Sequence, residues 1–315
     1  MMAGGDRPVA APPPPPPPPA GPTGSIYDIG YRGYDGPRLG RRHAFATLFT
    51  GGFRATFGLG RSGRAKIVPA FCLALPALTA VIIVALSAFA SRFGISDLGV
   101  LPGHPDMAGA VGVFATILVA VQAPELLGRD ARYRVLSLYF SRALLREDYA
   151  LAKLAALGAA VLALLLLPHV ILTIGAVLLT SDLLGALGRE AGHWPAVLGS
   201  TVVTAAATAG VALVIAAFVS RRAYATVAIF GIFLVPTILV AVILALELGP
   251  ASQYVVLLDP GSVLDAANAW FFDVSPSAGV WTMTDLPVSL GLIASIVIAL
   301  GTSAILVQRY RTIAA

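Results

Sequence analysis

"IVPAFCLALPALTAVIIVALSAFAS", residues 67–91, runs for 25 residues between Lys66 and Arg92 without an Asp, Glu, Lys or Arg. About 20 apolar helical residues cross the hydrocarbon core of a bilayer, so this stretch reads as a transmembrane helix. The chain repeats the pattern at 107–124, 154–181, 194–220, 223–246 and 286–308, each uncharged and rich in Leu, Val, Ile and Ala. Residues 8–27 are also uncharged, but they contain Pro12 to Pro19, and a proline run cannot form an α-helix. The sequence therefore predicts an all-α integral membrane protein with six transmembrane helices in a domain over residues 67–308.

Composition agrees. Of 315 residues, 57% are hydrophobic and 12% are charged, and the mean hydropathy is +0.86. A soluble domain carries about a quarter charged residues, so a water-exposed surface around a large core is excluded. The single cysteine, Cys72, lies in the first span. It allows no intrachain disulfide and reads as a small core residue. The proline-rich N-terminus lacks the apolar segment of a secretory signal peptide.

Lysine and arginine set an orientation. With the N-terminus inside, 19 of the 21 Lys and Arg residues fall in inner segments, leaving Arg92 and Arg189 outside. Cytoplasmic loops retain such residues, so both termini are expected in the cytoplasm of a multi-pass protein of the cell membrane. The pI of 9.6 then reflects inner basic groups facing anionic lipids or a cytoplasmic partner, and no nucleic acid is needed to explain it.

Residues 1–24 read as a disordered, proline-rich cytoplasmic tail, and residues 25–66 as a cytoplasmic segment. Within it, Phe45, Phe49 and Phe53 recur every four residues among Arg54, Arg61 and Arg64. That pattern predicts an N-terminal interfacial helix lying along the inner leaflet. Residues 309–315 form a short cytoplasmic tail. In the outer loop, residues 259–274 are expected to form a short helix or hairpin dipping into the outer leaflet, with Ser262 and Asp265 as a cap.

No catalytic motif is present. There is no His-Glu-x-x-His for zinc and no Gly-x-Ser-x-Gly nucleophile turn. The segment 58–66, "GLGRSGRAK", lacks phosphate-loop spacing. The chain is thus expected to be no enzyme, with no catalytic, cofactor-binding or metal-binding residue of its own. Three residues inside spans are candidate pathway residues. His169 follows Pro168 in span 3, where an ionisable side chain marks function by default; a single structural hydrogen bond is the competing account. Thr204 and Thr208 lie in span 4, whose Ala, Thr and Gly content equally suits close helix packing.

Between spans 2 and 3 lies "PELLGRDARYRVLSLYFSRALLREDYALAK", residues 124–153, with six cationic and four anionic residues. Val135, Leu138, Tyr139 and Arg142 share one face at helical spacing, with Arg134 and Arg146 nearby. The segment reads as an amphipathic cytoplasmic helix. It resembles the first cytoplasmic loop of ABC-2 type transporter permeases, of actinobacterial type. The matching positions are Glu125, Leu136, Leu138, Ser141 with Arg142, Tyr149 and Lys153, while Ala143 departs from the proline frequent in that family. Residues 26–42, "IYDIGYRGYDGPRLGRR", look similar to the same group.

The resemblance implies a permease subunit of an ATP-driven exporter, paired with a second permease copy or a homologous permease. Its loop would be a coupling helix onto a separate ATP-binding subunit, through Glu125, Arg134, Leu138, Tyr139, Arg142, Arg146 and Lys153. ATP and Mg would be bound by that partner, with phosphoryl transfer there. A non-ABC transporter, a channel, or a membrane scaffold recruiting a cytosolic partner stays open from the residues alone.

Overall fold

The computed structural model describes Gly36 and residues 39–93, 103–133, 135–140, 144–276 and 279–312. The proline-rich tail, and Arg134, Ser141, Arg142 and Ala143 of the loop, lie outside the described residues. The chain divides into two units, Met1–Arg38 and Leu39–Ala315, and every helix among the described residues belongs to the second.

Among the described residues the fold is all-helical: α1 (Gly40–Thr56), α2 (Arg64–Arg92), α3 (Met107–Arg132), α4 (Leu136–Phe140), α5 (Arg146–Leu178), α6 (Leu183–Phe218), α7 (Arg222–Ala245), α8 (Pro260–Phe272) and α9 (Val288–Thr312). Short 3-10 helices at Pro250–Leu258 and Val280–Met283 flank α8. Six helices are long and apolar enough to cross a membrane: α2, α3, α5, α6, α7 and α9. These correspond to the six uncharged windows.

The helices outrun the windows. Helix α3 continues through Pro124 to Arg132, α5 begins at Arg146, and α6 begins at Leu183. Backbone hydrogen bonding is indifferent to side-chain charge, so a helix can continue where an apolar run stops. Helix α6, with 36 residues, spans about 54 Å at 1.5 Å per residue.

Contacts between helix ends fix the directions. Arg61 just before α2, Glu125 late in α3 and Arg222 opening α7 meet. Arg41 at the start of α1 meets Asp148 in the first turn of α5, and Arg311 at the end of α9 meets Glu147. All these groups gather at one end, called here the basic end. At the opposite end Asn268 of α8 donates to the Pro105 carbonyl before α3, at 2.9 Å. Successive long helices therefore alternate in direction.

Helix α3 is the most enclosed, with 56% of its apolar window buried against 17% for α9. It packs on α5, α6 and α7. Leu118, Val119, Ala123, Leu157, Val161 and Leu213 anchor the main core. Outward faces are apolar as well. Leu86 on α2, Val227 and Ile238 on α7, and Val297 and Leu300 on α9 are exposed. A helix that is hydrophobic all round is made for lipid or a core.

Glycines set the closest approaches. A Cβ on Gly175 of α5 would lie 2.3 Å from Val84 of α2, and one on Gly291 of α9 would lie 2.4 Å from Ala266 of α8. Small residues of this kind let helix backbones approach where lipid supplies no hydrophobic drive.

Two expectations change. The loop 124–153 is not one amphipathic helix: α3 ends at Arg132, and α4 is a single short turn from Leu136 to Phe140. Helix α8 is present, but its cap is Asp259 instead of Ser262. The Asp259 carboxylate accepts from the backbone N–H of Gly261 and Ser262. Pro260 at the first helical position fits this start, because a helix wastes no donor there. Nor does α8 rest only on the outside. Ser262, Val263, Ala266, Ala267 and Asn268 are buried, against α6, α7 and α9.

Candidate functional site

The basic end is organised by half-buried carboxylates and the buried Asp148. Glu125 accepts from Arg61 of the turn before α2, lies 2.8 Å from Arg222 of α7, and is 4.0 Å from Arg129 one turn along α3. One carboxylate so joins three chain segments. Beside it, Lys153 Nζ lies 2.7 Å from Asp130 Oδ2 and donates to the Leu126 carbonyl at 3.2 Å. The Tyr149 hydroxyl donates to the same Asp130 oxygen at 2.7 Å, and the Lys153 ammonium lies over the Tyr149 ring. Lys153 is only 5% exposed, so this pairing is what makes its burial tolerable.

Two further pairs clamp the outer elements. Arg41 Nε and Nη2 each donate to Asp148 at 2.6 Å, a two-pronged contact joining α1 to α5. Through that hydrogen bond Asp148 raises the Arg41 guanidinium above its ordinary value. Arg311 of α9 donates to Glu147.

Helix α4 sits against this frame. Tyr139 and Phe140 lie beside the Tyr149 ring, and Tyr149 in turn meets Tyr310 of α9. Leu138 is 58% exposed. Arg146 lies over the Phe140 ring and donates to the Arg311 carbonyl. A groove of about 620 Å³ opens between Ser137, Phe140, Leu144, Glu147 and Arg311.

Of the loop residues singled out from the sequence, Glu125 and Lys153 are structural ion-pair members turned inward. Leu138, Tyr139 and Arg146 lie at the surface or just below it. Arg134 and Arg142 fall outside the described residues. Sequence reasoning missed Arg61, Arg222, Asp130 and Tyr310 as partners, since pairs 23 to 161 positions apart leave no local signature.

The candidate pathway residues separate. Thr204 and Thr208 line a cavity of about 370 Å³ among α3, α6, α7 and α8, together with Thr116, Phe230, Phe233 and Asp265, and it opens outward past the exposed Val113 and Leu234. His169 belongs elsewhere, near the opposite end. Its Nδ1 is 2.8 Å from His104 Nδ1, and His104 Nε2 is 3.1 Å from Glu190 Oε2. Thr173 donates to that same glutamate oxygen, and the His193 ring lies beside His104. A hydrogen bond to His169 is present, and its partner is a turn residue 65 positions away. Among the described residues, no group of three or more His, Cys, Asp or Glu side chains is arranged to hold a metal ion.

No family model matches the chain, and no curated protein matches it.

Proposed function

We propose that the chain is the membrane-spanning permease subunit of an ATP-driven ABC-2 type exporter, coupled to a separate ATP-binding subunit through the α3–α4–α5 connection. The observation that carries the reading is the setting of α4. It is a short helix with an exposed leucine, seated between two long helices at the end where the basic residues gather. An exposed helix against a groove is a physically sensible way to join two proteins. The excess of Lys and Arg at that end supports a cytoplasmic face for it, with both termini inside, and α1 would lie along the inner leaflet.

In this reading two permeases work with two ATPases. ATP and Mg belong to the partner, whose hydrolysis cycle displaces α4, and the long helices respond by changing which face the cavity meets. Glu125 and Lys153 act as positioning residues that hold the α3 and α5 ends together, so that a push on α4 reaches both helices.

The test is co-purification with an ATPase encoded beside this chain. The Leu138→Ala/Tyr139→Ala double variant is expected to weaken the complex at least tenfold and to reduce permease-stimulated ATP hydrolysis, while thermal stability of the isolated chain changes little. Unchanged association and unchanged ATPase stimulation in the folded variant would overturn the reading.

A further inference from the structure

Helix α7 changes partners partway along its length. Near its start the Thr226 hydroxyl donates to the Ala120 carbonyl of α3 at 3.0 Å, and Ile229 and Phe233 pack into the main core. Beyond Pro236 it is held by α8 instead. Thr237 donates to Asp259 at 2.9 Å, and Val240 and Leu244 join a second apolar cluster with Val263 and Ala266. Proline interrupts the hydrogen-bond ladder of a helix, which suits a change of partner there. Between the two attachments lies the cavity of about 370 Å³, with residues 109–117 of α3 on one side and 230–234 of α7 on the other.

The mouth of the cavity stands at the depth of hydrocarbon. Val113 of α3 and Leu234 of α7, both exposed, form its rim. Leu234 is twelve residues along α7 from Arg222, whose ion pair with Glu125 belongs to the basic end. At 1.5 Å per residue that is about 18 Å, near the middle of a hydrocarbon core of about 30 Å. Val113 is at the same level: it lies seven residues outward of Ala120, and Leu234 eight residues outward of Thr226, the partner of Ala120. Gly109 and Gly112 line the α3 side, where a Cβ on either would meet nothing within 4 Å.

We propose that this cavity takes the hydrocarbon tail of an amphiphile, entering sideways from the bilayer between α3 and α7. The wall is mainly apolar, with Ile117, Phe230, Phe233 and Leu264. Thr204 and Thr208 add methyl groups as well as hydroxyls, and the Thr116 hydroxyl is committed to the Gly112 carbonyl at 3.1 Å. Asp265 is half-buried and has an interaction of its own within the chain, so it asks nothing of a ligand. An opening at mid-bilayer depth meets acyl chains and not water. Left empty, the cavity would forfeit dispersion contacts along its lining, and a tail bent into it restores them. The occupant is a single chain and not a neighbouring helix. A helix with its side chains is about 10–12 Å across, whereas about 370 Å³ is at the small end of the ~300–1,000 Å³ range of small-molecule sites.

Calling the amphiphile a transported cargo rests on the permease reading above; binding of its tail does not. The sample is the full chain in phosphatidylcholine nanodiscs, and the probe is hexadecanol carrying a diazirine near its chain end. Labelled positions are mapped after illumination by proteolysis and mass spectrometry. Labelling of 109–117 and 230–234 is expected to saturate, and to fall at least tenfold under excess unlabelled hexadecanol. Labelling at Val297 and Leu300, on the exposed face of α9, should follow the probe's share of the bilayer without saturating.

Gly112→Leu is expected to cut the saturable labelling at least tenfold by filling the cavity. Gly301→Leu, at an exposed glycine of α9 with open space around it, should leave it unchanged. Both variants are checked for monodispersity and thermal unfolding. If Gly112→Leu fails to fold, the wild-type contrast between the cavity walls and the α9 face decides alone. Labelling that saturates nowhere, cavity walls left unlabelled because a second copy of the chain covers Val113 and Leu234, or unaltered labelling in folded Gly112→Leu overturns the proposal. Saturable labelling without ATPase coupling sinks the permease reading and leaves the site; coupling without saturable labelling does the reverse.

Discussion

Buried Lys153 and half-buried Asp130 form an ion pair, 2.7 Å between Nζ and Oδ2, that joins the last turns of α3 to the third turn of α5. Each charge also has neutral company, the Leu126 carbonyl for the ammonium and the Tyr149 hydroxyl for the carboxylate. Removing one partner of a buried pair leaves the other uncompensated, at about 3–5 kcal/mol. Lys153→Met is therefore expected to lower the thermal midpoint sharply in detergent. The Lys153→Met/Asp130→Asn double variant should be more stable than Lys153→Met alone. A double variant worse than the sum of the singles would contradict the pairing.

Glu125 should behave differently from Asp148, although both bind arginine. Both carboxylates are largely enclosed, but Arg61 opposite Glu125 is 25% exposed at its side chain, whereas Arg41 opposite Asp148 is 54% exposed. Salt screens exposed pairs far more than enclosed ones. Glu125→Gln is expected to destabilise by about 2–4 kcal/mol, nearly independent of ionic strength. Asp148→Asn should cost about 1 kcal/mol or less at the salt-bridge level, shrinking as salt rises. Unfolding scans at low and high salt separate the two.

Glycine substitutions give a contrast free of charge effects. At Gly291 a Cβ meets Ala266 at 2.4 Å and the Val263 carbonyl at 3.2 Å, while at Gly51 nothing lies within 4 Å. Gly291→Ala is expected to cost about 1–3 kcal/mol through overpacking of α8 on α9. Gly51→Ala should stabilise α1 by about 0.5–1 kcal/mol, because alanine is the better helix former. Equal effects at the two sites would mean that α8 is not seated as described.

His104 and His169 should be energetically coupled. Their ring nitrogens are 2.8 Å apart, and Glu190 closes the chain. In a double-mutant cycle with His104→Ala and His169→Ala, a coupling of about 0.5–3 kcal/mol is expected. Additive effects would show that the two rings stabilise the fold independently.

The six helices long and apolar enough to cross a membrane were legible because uncharged windows of 18 residues or more match the thickness of a bilayer. Their ends were not, since α3, α5 and α6 carry on through Arg129, Glu147 and Arg189. Helix α8 was visible from its turn residues and apolar spacing, but its depth was hidden. Burial of Asp259 depends on Thr237 from another helix, and one-dimensional hydropathy marks that aspartate as loop. His169 stood out as an ionisable residue in an apolar run, whereas its partner His104 looked like an ordinary turn residue. The cavity was half legible: Thr204 and Thr208 were noticed, Asp265 was assigned to the outer loop, and nothing local joined them.

Helix α6 has one more consequence. About 20 of its 36 residues suffice to cross the hydrocarbon, so the first turns, from Leu183 to about His193, are surplus. Leu183, Leu184 and Leu187 are exposed there, beside the polar Arg189 and Glu190. Thicker bilayers can wet these leucines with acyl chains, and thinner ones leave them among headgroups, each at a modest cost per ångström of mismatch. This helix carries a margin, and membranes of differing thickness can be met by one fold.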